Sequence, residues 1–334
     1  MKVTHVKKSS TVFKKSSAAL KACFQYFKYI PGDIAPMSLL PSSPQDSLEW
    51  YLENTHSGFA NAIRICMMEE CPVKSIQFDD ELLDTNDDFV LSDNLSMRLH
   101  MIPIDQEVNY DGVTIELDSE NKTNDMMDVT SGDLIVKKNG VVVQKVYFGK
   151  TVVIMTLRPE RYIKTGPMKI VEGLGKVNSG QFSSLRAPEY APDMKMNEPL
   201  EYDPTSFRFK ITTHRNCSVE YIIKIMHESL VSRLKLYKSE LNGLEEEYAS
   251  ETLLVAMGDE TQLTFPNEYR SIPGMIAHYC YKLDSNIDRV SSNVKHPASD
   301  TGIIRIRHAD PIKLIVAAID MAINDLDTVL NALV

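Results

Sequence analysis

Cysteine is scarce in this chain and poorly spaced for cross-linking or metal binding. The five residues are Cys23, Cys66, Cys71, Cys217 and Cys280, an odd number with no CxxC pair. That excludes a disulfide framework and predicts reduced thiols in a cytosolic or nuclear compartment. Only His214-x-x-Cys217 has ligand-like spacing, and no second pair completes a tetrahedron. None of the eight histidines falls in an HxxxH or HExxH pattern. No serine or cysteine stands in a recognisable pattern with a base. No apolar run has the length to cross a bilayer, and the first residues lack a signal peptide's apolar core. The expectation is an intracellular protein with no active site, metal, cofactor or membrane partner of its own.

Positive charge is in deficit too. Lys and Arg number 36 against 46 Asp and Glu, for a net charge of −10. A surface of that sign repels phosphate backbones, so direct sequence-specific nucleic-acid binding is not expected. The opening segment departs from this, with Lys2, Lys7, Lys8, Lys14, Lys15, Lys21 and Lys28 and no acidic residue before Asp33. A solvated arm flanking a short helix at Ser17–Tyr29, and an arm that docks on an acidic partner or nucleic acid, are both open readings. Length (334 residues) and composition (43% apolar, 25% charged) suit two or three globular domains.

Residues 54–104 hold the most information. A strand at Leu48–Leu52 leads into Asn54-Thr55-His56-Ser57, polar residues able to cap a helix. The helix FANAIRICMMEEC ends at Pro72, with Phe59, Ala62, Ile63, Cys66 and Met67 spaced as one buried stripe. Val73, Ile76 and Phe78 alternate as a strand. The acidic run Asp79, Asp80, Glu81, Asp84, Asp87, Asp88 and Asp93 lies in a turn region, where aspartate serves local hydrogen bonding. It reads as a solvated loop rather than a Mg²⁺ site, which needs carboxylates converging on one point. SDNLSMRLHMIPI then forms a second short helix entering a strand.

That order resembles the assembly subunit of multisubunit RNA polymerases: bacterial alpha, archaeal D, and the third-largest subunit of eukaryotic polymerase II. The likeness rests on Ala60-Asn61-Ala62-Ile63-Arg64-Ile65, Glu70-x-Pro72, Leu91-Ser92-Asp93 and Met97-Arg98-Leu99-His100-Met101-Ile102-Pro103-Ile104. Ile65 replaces the second arginine of the family's pair, and His100 the glycine of its R-L-G. Asp128-Val129-Thr130-Ser131-Gly132-Asp133-Leu134 matches a V-T-S-x-D-L strand start, and Asn139-Gly140 between alternating apolar residues predicts a hairpin. Thr151–Arg158 is β-rich and ends at Pro159. Gly173-Leu174-Gly175-Lys176 with Gln181-Phe182-Ser183 stands where the family has G-x-G-K-x-H-A-K-[WF]-S-P. As a phosphate loop those glycines fail on spacing: position 170 is Ile, and Val177 follows Lys176. They predict a tight connection between strands. Some family members carry a four-cysteine metal cluster in the inserted domain, but residues 73–200 contain no cysteine.

Phe207, Phe209 and Ile211 alternate as a half-buried strand. Ser218 then caps a long helix striped by Val219, Ile222, Ile223, Met226, Leu230, Leu234, Tyr237, Leu241 and Leu244. From Glu251 onward a hairpin, a helix from Ser271 to about Leu283, a strand, His296-Pro297, a strand at Gly302–His308, and a helix after Asp310-Pro311 follow in turn. The last helix carries Leu314, Ile315, Ala318, Ile319, Ala322, Ile323, Leu326, Leu330 and Leu333. This order is similar to the small partner subunit, archaeal L or the eukaryotic eleventh, though the family's H-T-L-G-N pattern is degraded.

The resemblance implies an α+β chain holding both halves of a heterodimer. It comprises a basic arm (1–44), a discontinuous alpha-subunit-like dimerisation domain (45–72 plus 201–245), an inserted β-rich domain (73–200) and a small-subunit half (251–334). The halves would form an intramolecular pseudo-dimer. It further implies a non-catalytic scaffold of a DNA-directed RNA polymerase, binding the two large catalytic subunits and a small zinc-bearing subunit. Asn61, Arg64, Glu70, Gly173, Gly175 and Lys176 are the implied contact positions, with Asn61, Arg64 and Glu70 facing outward. The fused layout points to a large nucleocytoplasmic DNA virus, hence virion and host cytoplasm, with the nucleus as the setting otherwise. The alternative is a free-standing α/β interaction module outside any polymerase.

Overall fold

A computed structural model describes residues 1–11, 45–102, 104–145, 152–182, 189–195, 201–212, 217–242, 247–249, 253–256, 258–268, 271–294, 296 and 299–334. The helix expected at Ser17–Tyr29 lies outside these, as do Pro103, His214, Leu244 and Pro297. The fold is α+β.

In chain order, β1 (Lys2–Thr11) and β2 (Gln45–Glu53) precede helix α1 (Ser57–Ile65). Then come β3 (Pro72–Gln77), β4 (Leu83–Thr85) and α2 (Ser92–His100). The strands β5 (Val113–Glu120), β6 (Met127–Thr130), β7 (Leu134–Lys138), β8 (Val141–Lys145), β9 (Val153–Leu157) and β10 (Tyr162–Leu174) follow. After them come β11 (Glu189–Lys195), β12 (Glu201–Thr212) and α3 (Val219–Leu241). The rest is β13 (Glu247–Ala249), β14 (Leu254–Ala256), β15 (Thr261–Phe265), α4 (Ile272–Leu283), β16 (Arg289–Val294), β17 (Gly302–Arg307) and α5 (Pro311–Leu333).

Three larger sheets run β1-β2-β12-β11, β3-β10-β5-β7-β8 with β4 on β10, and β13-β14-β15-β17-β16; β6 and β9 pair separately. Two placements differ from expectation. β1, within the range read as an arm, pairs with β2, and β11, within the range read as an insert, pairs with β12. The β7–β8 hairpin turns at Asn139 (φ 51°) and Gly140 (φ 82°), the left-handed pair that an Asn-Gly turn supplies.

Buried side chains form two cores. One is built by the segment from β3 through β10 and includes Ile76, Leu95, Leu99, Ile115, Leu134, Ile163 and Met168. The other joins the remaining segments: Trp50, Phe59, Ile63, Phe207 and Phe209 share it with Leu234, Phe265, Ile276, Ile304, Ile319 and Leu326.

Within that second core the chain repeats a pattern. β2 and β12 are antiparallel neighbours, each followed by a helix (α1, α3); β15 and β17 are likewise neighbours, followed by α4 and α5. Helices pack like on like, α1 on α4 and α3 on α5. His227 meets Asp327 (2.6 Å) and Lys238 meets Asp320 (2.5 Å), so α3 and α5 run antiparallel. The α3 stripe predicted from Val219 to Leu241 is buried throughout. A helix with a stripe that long must bury it against another, and α5 offers Ile315, Ala318, Ile319, Ala322 and Leu326. Ser218 caps α3 as expected, accepting from Tyr221 N–H. Asp310 sits at the start of α5 but makes no side-chain cap bond.

Candidate protein-docking face

Of the polar residues Asn54, Thr55, His56 and Ser57, His56 is the cap of α1, its Nδ1 accepting from Gly58 N–H at 3.0 Å. After Ile65 the helix widens: Cys71 N–H donates to Cys66 O at 2.9 Å, a five-residue step where an α-helix has four. Pro72, without an N–H, starts β3 instead of a further turn.

Asn61, Arg64 and Met68 fall on one ridge beside the buried stripe and are each half-buried. Arg64 Nε and Nη2 donate to Asn61 Oδ1 at 3.2 and 2.9 Å, and Nη1 lies 3.1 Å from Met68 Sδ. The guanidinium is thereby held along the helix. Ile65, where the family has its second arginine, is buried.

Glu70 is not on that face, which corrects the expectation of an outward contact. It is 7% exposed, and Arg233 Nη2 donates to its Oε2 at 2.7 Å. The Ser271 hydroxyl lies 2.9 Å from Oε1, and the Ser229 hydroxyl donates to the main-chain oxygen. Arg233 Nη1 donates to Glu268, also buried. One guanidinium from α3 thus joins a carboxylate at the end of α1 to one in the turn before α4. Burial favours the neutral form of Arg233, but the two carboxylates outweigh it and hold the group above the ordinary arginine range. Burial raises the Glu268 carboxyl and nearby Glu70 adds to this, against the pull of Arg233.

The glycine segment reaches the same place. Gly173 is the penultimate residue of β10, not part of a strand-to-strand turn, and the chain passes through Gly175 into a short helix, Ser179–Phe182. A Cβ at Gly173 would fall 2.3 Å from the Phe182 ring. At Gly175 it would lie 3.2 Å from Glu69 Cα and from Met68 O, so a side chain there would press on the backbone of the widened turn. Lys176 N–H donates to Glu69 O at 2.9 Å; its Nζ donates to Asn267 O and lies 3.8 Å from Glu268. The six positions singled out therefore form one connected region, Asn61 and Arg64 along its outer ridge and Glu70 inside. The missed members are Arg233, Glu268 and Ser271. Glu70 itself was legible, since position 70 continues the buried spacing of 59, 63 and 66.

Among the described residues no three His, Cys, Asp or Glu side chains are placed to hold one metal ion, and no helix is long and apolar enough to cross a membrane. The Ser271 hydroxyl is shared between the Glu70 and Glu268 carboxylates, which Arg233 also binds. No protein-family model matches the chain, and no curated protein matches it.

Proposed function

We propose that the chain is a non-catalytic assembly subunit of a DNA-directed RNA polymerase, in which two dimerisation halves share one polypeptide and form an intramolecular pseudo-dimer. The observation that carries the reading is the repeated strand-helix pattern whose helices pair like on like in one core, taken with the motif resemblance around Asn61 and Arg64. Joining the halves through residues 242–250 raises their effective concentration to the order of millimolar. It also keeps their apolar helix faces out of water. The platform docks the two large catalytic subunits, and a small zinc-bearing subunit beside them. Arg64 meets a large subunit through the part of its planar fork that Asn61 and Met68 leave uncommitted.

Affinity purification of the tagged chain, followed by mass spectrometry, tests this. The expected result is a stoichiometric complex with two polypeptides each above roughly 100 kDa, as the large subunits of such polymerases are. Arg64→Ala is expected to weaken their recovery by about 2 kcal/mol while the subunit stays folded. Recovery of the chain alone, or with one unrelated partner, supports the alternative of a free-standing interaction module.

A further inference from the structure

The two helix pairs that join the halves differ in how they meet acid. At the α1–α4 pair, the His56 and His278 rings stack with centroids 4.1 Å apart and planes within 8°. Backbones are close here, since a Cβ on Gly58 would lie 3.1 Å from Gly274 O. Phe59 meets Tyr279 edge-on at 5.9 Å. His56 is also the cap of α1 through Nδ1 as acceptor. A proton on Nδ1 converts that acceptor into a donor, removing the cap and placing positive charge at the helix N-terminus, where the dipole opposes it. It also sets a cation against the face of His278. The charged groups around His278 are His56, Lys282 on its own helix, and Asp325 on α5; Asp325 already accepts from the Tyr279 hydroxyl at 2.6 Å. The α3–α5 pair carries the opposite chemistry. His227 Nε2 contacts the Asp327 carboxylate, a bond that either charge state of the ring can make, and Lys238 pairs with Asp320.

We infer that the stacked His56–His278 pair is an acid-sensitive latch. Protonation loosens the α1–α4 contact while the α3–α5 contact holds, so the first pair opens more often than the second. Both rings favour the neutral form. Burial lowers His56, and burial, then His56 and Lys282, bring His278 down to about 4. A histidine lowered on folding contributes stability that is complete above its unfolded pKa and lost as pH falls through the window beneath it. For His278 that window runs from 6.5 to about 4. At pH 5 such a shift weakens the closed latch by at most about thirtyfold, and half-exposure of the ring reduces this to roughly tenfold. The ridge bearing Asn61 and Arg64 lies on α1 and moves with the latch, although the inference does not depend on what docks there.

Hydrogen exchange on the full chain at about pH 7.5 and about pH 5, corrected for intrinsic rates, reads the two pairs separately. Protection in Ser57–Ile65 and Ile272–Leu283 is expected to fall about tenfold more than in Val219–Leu241 and Pro311–Leu333. In His56→Asn, which keeps a cap oxygen but cannot titrate, and in His278→Gln, that difference is expected to shrink to a few-fold. Equal loss in both helix pairs, no loss at either, or an unchanged difference in His56→Asn overturns the latch. If His278→Gln does not fold, His56→Asn, at an exposed position, decides the matter alone.

Discussion

Arg233→Met removes the guanidinium that joins Glu70 to Glu268. The Glu70, Glu268 and Arg233 side chains are 7%, 5% and 19% exposed, well inside the range where water no longer compensates a lost partner. Breaking a buried pair from one side typically costs about 3–5 kcal/mol, because an uncompensated charge stays behind. Here two carboxylates stay behind; among the described residues Lys176, 3.8 Å from Glu268, and the Ser271 hydroxyl, near both carboxylates, remain to meet them. A loss of about 4 kcal/mol is a roughly thousandfold fall in the folded-to-unfolded ratio. Urea unfolding of the full chain at two pH values measures it. A carboxyl raised on folding contributes stability that is complete below its unfolded pKa and lost as pH rises through the folded one. Glu268 is already raised, and without Arg233 its carboxyl rises further. The deficit is therefore expected to be largest at neutral pH and to shrink towards pH 5. Adding Glu70→Gln and Glu268→Gln to the arginine variant is expected to recover most of it. A deficit below about 1 kcal/mol at neutral pH, or one independent of pH, refutes the argument that this cluster is desolvated and mutually dependent.

Other outcomes are open to measurement. Gly173→Ala places a methyl group within the buried Phe182 ring's space and is expected to lower stability by about 1–3 kcal/mol, with Phe182→Leu in the same chain restoring part of the loss in thermal unfolding. Asn121 is fully buried, its side-chain amide donating to Asp125 O and Leu157 O and its Oδ1 accepting from Thr123. Asn121→Ala is expected to cost about 2–3 kcal/mol, with increased proteolysis confined to residues 113–170. Lys238→Met removes a partly exposed ion pair with Asp320, so its effect on the unfolding midpoint is expected to stay below about 1 kcal/mol and to vanish in high salt. Elemental analysis of the purified chain is expected to find no stoichiometric zinc.

Much of the architecture was legible locally. Stripes of apolar residues at helical spacing located α1, α3 and α5, and strict alternation located β12 and β17, because burial against one face imposes those periods on any sequence. Proline at 72, serine at 218 and Asn139-Gly140 marked their boundaries through backbone chemistry that acts within a few residues. Long-range pairing was beyond that reach. Nothing local says that β1 closes onto β2 or that β11 joins β12, since a strand's hydrogen bonds are blind to sequence distance. The widened turn at Cys66–Cys71 packs against α3, a contact that no local propensity announces. Above all, Arg233, Glu268 and Ser271 look like ordinary surface residues when each is seen alone. Only tertiary packing removes water from around them, and that desolvation turns three unremarkable side chains into partners of Glu70. The stacking of His56 on His278 has the same origin: packing brings together two rings whose positions in the chain lie more than two hundred residues apart.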